Sequence, residues 1–136
     1  MKLLILAVLL LGCGSDVASA ATLKGTLKYS RNGGFAGVSE SASIAPSGKA
    51  TFKVSKRRTT TLTHAERSRL ARYAEAADIP HAKVPKGSKC CDTYAYDLTY
   101  RGRTLRWYDG GKVPKALATL VGELNRLVKK HGGGLG

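Results

Sequence analysis

Acidic residues are scarce in this 136-residue sequence: nine Asp and Glu stand against 23 Lys and Arg, for a net charge of +14. Glu40, Glu66, Glu75, Glu123 and the five Asp show no pairing suited to acid/base work, so carboxylate-pair hydrolysis is not a reading the sequence supports. Histidine is scarcer still. His64, His81 and His131 have neither metal-ligand spacing nor a neighbouring nucleophile, so no metal site, cofactor or enzymatic activity is expected. There are three cysteines, two of them adjacent at Cys90 and Cys91. Consecutive Cα atoms lie about 3.8 Å apart, below the roughly 4.4 to 6.8 Å of ordinary disulfides, so a vicinal bond there would be strained. Free thiols, a strained ring and intermolecular pairing all stay open. No apolar run approaches the roughly 20 residues of a membrane-spanning helix. No internal repeat is visible. The Gly33-Gly34 pair is not a phosphate loop, because no helix follows it directly.

What the sequence does have begins at its amino terminus. Met1 and Lys2 precede nine apolar residues, Leu3 to Leu11, the order of a secretory signal. Two exits from that signal compete. Ala18-Ser19-Ala20 is a small-residue cleavage site that would free a chain starting at Ala21, whereas Leu10-Leu11-Gly12-Cys13 resembles the lipobox of bacterial lipoproteins. The lipobox abuts the apolar run and is preferred, with Cys13 as the acylated residue and the residues up to 20 as a short tether. Residues 21–136 then form a single domain. Cleavage before Ala21 removes Lys2 and Asp16, leaving 22 basic and 8 acidic residues and the same +14. Such a field calls for an acidic partner or surface. Export takes the protein away from nucleic acid, so acidic proteins, anionic lipids and wall polymers are the expected class, and membrane contact is expected only through the lipid anchor.

With 43% apolar residues the mature chain can build a core. Alternation marks strands from Leu23 to Arg31 and from Val38 to Ile44, with a third across Ala50, Phe52 and Val54. Turns fall at Asn32-Gly33-Gly34 and at Pro46-Ser47-Gly48-Lys49. Thr63-His64-Ala65-Glu66 is a capping box opening a helix with Leu70, Tyr73, Ala74 and Ala77 on one face. Residues 81–91 read as an exposed loop. Tyr94, Tyr96, Leu98 and Tyr100 share one face of a further strand; they could imitate a stacking platform, but their spacing fits a core face better. Arg101-Gly102 turns the chain into a strand with Leu105 and Trp107. Pro114 opens a helix whose Leu117, Leu120, Val121, Leu124, Leu127 and Val128 recur at three and four. The expected fold is α+β: an antiparallel sheet of about five strands with two helices on one face, in the order βββαββα.

The run Tyr29-Ser30-Arg31-Asn32-Gly33-Gly34-Phe35-Ala36-Gly37-Val38 resembles the signature of the protealysin inhibitor emfourin family. Ala76-Ala77-Asp78 at a helix end, Asp97-Leu98-Thr99-Tyr100 in a strand and a last helix near Pro114 follow the same layout over roughly 100 residues. The resemblance implies a small, non-enzymatic α+β inhibitor of thermolysin-like zinc metallopeptidases, and a monomer is expected. Export and the Cys90-Cys91 pair depart from a plain family member. Arg31 to Gly37 is the first expected peptidase-binding segment: Arg31, Asn32, Gly33, Gly34, Phe35, Ala36 and Gly37. Paired glycines let backbone enter a cleft, and Phe35 supplies an apolar anchor. The alternative is a tight turn with Phe35 folded into the core. Asp109, Gly110 and Gly111 form a second candidate edge, where Asp109 could approach the metal; an ordinary strand-to-helix turn is the alternative. Arg31, Arg101, Arg103 and Arg106 are candidates for steering toward an acidic peptidase. A non-inhibitory basic envelope lipoprotein that binds acidic wall polymer or lipid is the competing function.

Overall fold

The computed structural model describes residues 21–85, 87 and 93–133, so the signal, Cys13, Cys90 and Cys91 lie outside the described residues. Strands β1 (Leu27–Gly33), β2 (Val38–Ile44), β3 (Lys49–Lys53) and β4 (Arg57–Thr61) come first. Helix α1 (His64–Ala77), strands β5 (Tyr94–Tyr100) and β6 (Arg103–Tyr108) and helix α2 (Lys115–His131) follow. The six strands form one antiparallel sheet in the order β4-β3-β2-β1-β5-β6. The fold is α+β, with one strand more than expected.

The strand missed by periodicity is β4. Arg57-Arg58-Thr59-Thr60-Thr61 contains no apolar residue, so hydrophobic alternation has nothing to register. It forms because β-branched threonines suit a pleated surface and because an edge strand pairs through its backbone alone. Strand β1 also sits later than the apolar pattern suggests, starting at Leu27 and running through Gly33, although Leu23 is buried all the same.

Register explains where the core lies. Leu27 faces Ile44, Tyr29 faces both Ala42 and Leu98, Phe52 faces Ala42, and Leu98 faces Leu105, so these buried side chains share one face of the sheet. Both helices contribute to the same cluster: Leu70, Ala74 and Ala77 from α1, and Leu117, Leu120, Leu124, Leu127 and Val128 from α2. Tyr29 donates its hydroxyl to Asn125 of α2, which satisfies the polar tip of a ring buried beneath that helix. Burial then holds the phenol well above its ordinary pKa.

The buried carboxylate of Glu66 ties the two helices together, as does Glu123 of α2 through Arg69 of α1. Glu66 accepts from the Thr63 backbone N–H at 3.0 Å, while the Thr63 hydroxyl accepts from the Glu66 N–H at 3.1 Å, completing the capping box read from the sequence. The second Glu66 oxygen accepts from Lys130 Nζ at 3.2 Å and lies 2.9 Å from His131 Nε2, at the far end of α2. The His131 ring stacks on Phe52 with centroids 5.5 Å apart. Burial alone would raise the Glu66 pKa, but hydrogen bonds from His131, the Thr63 backbone and Lys130 outweigh it and bring it from its ordinary 4.5 down to about 2.

A depressed folded-state pKa stabilises the fold above the unfolded value and loses that contribution as pH falls through the folded one. Stability, followed as the thermal midpoint, should therefore fall on the order of 3 kcal/mol between about pH 4.5 and about pH 2 through this group. Glu66→Gln should begin less stable at neutral pH and lose most of that acid dependence. An acid profile unchanged by the substitution would show that other carboxylates govern it.

Candidate functional site

Antiparallel pairing brings the two sequence-derived loops to one end of the sheet. β1 ends at Gly33 opposite Tyr94, the first residue of β5, and β6 ends at Tyr108 opposite Ala95. The loop after β1 and the loop after β6 therefore flank the start of β5.

The first loop is a four-residue connection, Gly34-Phe35-Ala36-Gly37, closed by a hydrogen bond from the Gly37 N–H to the Gly34 carbonyl at 3.2 Å. Gly34 and Gly37 have φ of +75° and +62°, a region that favours glycine. The Gly34 N–H also donates to the Thr93 carbonyl at 3.3 Å, and a Cβ on Gly34 would stand 2.8 Å from the Tyr94 ring. The base of the turn is thus pinned to β5. Its tip is not. Phe35 is 95% exposed, and Ala36 and Gly37 are exposed beside it. The alternative in which Phe35 folds back into the core does not occur.

Tyr94 is held in turn by Arg31. The Arg31 guanidinium lies over its ring, 4.8 Å from the centroid, and Arg31 Nη2 donates to Glu40 at 2.7 Å across the β1–β2 ladder. Burial works against the Arg31 charge, but the Glu40 carboxylate more than offsets it, so its pKa is raised. Arg31 Nε is buried and has no hydrogen-bond partner among the described residues. A groove of about 570 Å³ opens beside this hairpin, with Arg31, Gly37, Val38, Val54 and Val128 in its walls. Asn32 is exposed and accepts from the Ser39 hydroxyl at 2.9 Å.

Asp109 turns inward. One carboxylate oxygen accepts from the Tyr94 backbone N–H at 3.2 Å and the other from the Tyr96 hydroxyl at 2.7 Å, while the Asp109 N–H donates to the Tyr94 carbonyl. Tyr96 stacks on Trp107 at 5.3 Å. Burial, reinforced by the neighbouring Asp109 carboxylate, pushes the Tyr96 hydroxyl up to about 12. Both oxygens of Asp109 are thus engaged by its own chain, and the arrangement is that of a strand-to-helix turn. Gly110 is exposed at that turn, whereas Gly111 packs on Pro85.

No family model and no curated protein matches the chain. The site therefore has to be read from its own chemistry. Among the described residues no three His, Cys, Asp or Glu side chains gather to hold a metal ion. His81 sits 3.0 Å from Asp78 on the surface, and His131 is committed to Glu66. Of the arginines considered for steering, Arg103 donates to the Ile79 and Pro80 carbonyls and Arg106 pairs with Asp97 at 2.6 Å, leaving Arg101 exposed at its turn. Tyr94 is the residue that sequence reasoning placed on a core face without seeing its use. Its position opposite Gly33 is a register fact, which no local pattern carries. The arrangement offers an apolar plug on a braced turn.

The two glycines separate strain from packing. Gly37→Ala meets nothing within 4 Å and should cost about 1 kcal/mol from its positive φ alone. Gly34→Ala carries the same backbone cost and also displaces a ring held beneath Arg31, so it should cost more, about 2 kcal/mol. Chemical denaturation of the two variants checks the order.

Proposed function

We propose that the protein is an exported inhibitor of a thermolysin- or protealysin-like zinc metallopeptidase, blocking the active-site cleft non-covalently with its Gly34–Gly37 turn. The observation that carries this reading is the placement of Phe35: a large apolar side chain, 95% exposed, at the tip of a turn whose base is fixed to β5. Leaving a Phe in water forgoes roughly 2 kcal/mol of burial, which a partner's pocket can recover. A turn already held in shape loses little conformational freedom on binding, so more of that gain reaches the affinity.

The run from Tyr29 to Val38, with its likeness to the emfourin signature, supports the choice of partner. Peptidases of that class favour a bulky apolar side chain just after the scissile bond, a position Phe35 fits. Arg31, Glu40, Tyr94 and Asp109 act behind the turn as positioning residues, and Asn32, Ala36, Gly110 and Gly111 border it. The amino-terminal signal and an acylated Cys13 would deliver the inhibitor to the compartment of secreted peptidases. The excess of positive charge would speed association with an acidic peptidase, an effect that salt weakens.

Titration of the purified protein against a thermolysin-type and a protealysin-type peptidase, read by peptide cleavage, tests the proposal. Wild type should slow cleavage at micromolar concentration or below. Phe35→Ala should weaken inhibition about tenfold or more with an unchanged denaturation midpoint, because the ring contributes little to its own core. Full cleavage at micromolar wild type, or equal inhibition by Phe35→Ala, sinks the reading.

A further inference from the structure

Both helices pack on one face of the sheet, and the opposite face holds a different chemistry. Register places Arg57, Lys53, Ser41, Ser30, Asp97 and Arg106 in one row across the six strands. The next row is Thr59, Thr51, Ser43, Lys28, Thr99 and Thr104. Asp97 is the one carboxylate that the described strands put on this face, and Arg106 neutralises it at 2.6 Å. On the half formed by β1 to β4, Lys28, Lys49, Lys53 and Arg57 are exposed and have no carboxylate partner among the described residues. Lys53 stands directly opposite Arg57, a like-charge pairing that weakens a sheet unless an anion lies between.

Lys28, Lys53 and Arg57 rim a shallow depression of about 450 Å³ whose further walls include Ser30, Ser41, Ser43 and Thr51. Ammonium, guanidinium and hydroxyl donors without a competing carboxylate make an anion site. Its breadth selects an extended ligand. Lys28 and Lys53 are two strands and one two-residue step apart, about 12 Å between Cα atoms, a span that a linear polyanion meets more readily than a single tetrahedral anion. Among the described residues of strands β1 to β4 themselves, no aromatic ring and no large apolar side chain is exposed on this face to stack on bases or sugars or to enter a bilayer; Phe35 lies beyond the strands, on the β1–β2 turn.

We infer that the open face of β1 to β4 binds a linear phosphodiester polymer through its backbone charges, at a site separate from the Phe35 turn. Lys28, Lys53 and Arg57 contact phosphates, Lys49 extends the track, and the serine and threonine hydroxyls donate between them. The inference does not depend on peptidase inhibition.

A fluorescein-labelled oligomer of about a dozen abasic deoxyribose phosphates, which carries the backbone without bases, is the probe, read by anisotropy against the purified protein. Binding should weaken with salt, with a slope of log K on log salt near −3 for about four neutralised phosphates. The triple variant Lys28→Gln, Lys53→Gln, Arg57→Gln should bind about tenfold more weakly or worse, with a slope flatter by about 2. A control with the same net charge, Lys83→Gln, Lys112→Gln, Lys115→Gln, should lose much less. Lys53→Gln alone should give a smaller loss in the same direction while relieving the Lys53/Arg57 repulsion, and it serves if the triple variant fails to fold. The inference is overturned if the oligomer does not bind at low salt, or if the control loses as much as the triple variant. It is equally overturned if phosphatidylglycerol vesicles bind tightly through the same three residues while the oligomer does not.

Discussion

The pairing of β1 with β5 joins the two halves of this fold. One half is a four-stranded meander and the other a single hairpin, and the ladder from Lys28↔Thr99 to Gly33↔Tyr94 unites them into one sheet. The partners lie far apart in sequence, so closing them carries a loop-entropy cost that local hydrogen bonds do not offset alone. Leu27, Tyr29 and Leu98, buried on β1 and β5, with Leu105 beside them on β6, supply the compensation. The candidate site hangs from the last step of the same ladder. Once Gly33 faces Tyr94, the Thr93 carbonyl meets the Gly34 amide, and the Tyr94 ring becomes the floor under the turn.

Among the described residues, five of the seven carboxylates serve as braces within the chain. Glu40 holds Arg31, Glu66 joins the helices, Glu123 takes Arg126 and Arg69, Asp97 takes Arg106, and Asp109 ties β6 to β5. Acids spent this way leave the remaining cations uncompensated at the surface. Lys28, Lys49, Lys53 and Arg57 are among the cations so left, set by register among hydroxyl residues on one face of the sheet. Two surfaces of opposite character result: an apolar tip at the end of the sheet and a cationic, hydroxyl-rich face across it.

Much of the architecture could be read along the chain, because helices and half-buried strands announce themselves by period. The capping box at Thr63 and Glu66, the apolar stripe of α2 and the Tyr-bearing strand all stand where their spacing puts them. Strand β4 did not announce itself, since an edge made of arginine and threonine forms by backbone pairing and leaves no hydrophobic period. Nor did the use of Asp109: a carboxylate before two glycines looks free in sequence, and its two donors come from residues more than a dozen positions earlier.

By itself the sequence determined the class of fold, the excess of positive charge and the glycine-rich segment around Phe35, because composition, period and turn chemistry are local properties. Tertiary structure alone decided that Phe35 points to solvent, that Asp109 and Arg31 brace rather than protrude, and that lysine, arginine and hydroxyl side chains align on one face. Each of those outcomes depends on which strands become neighbours and in what register, and that is fixed by long-range burial.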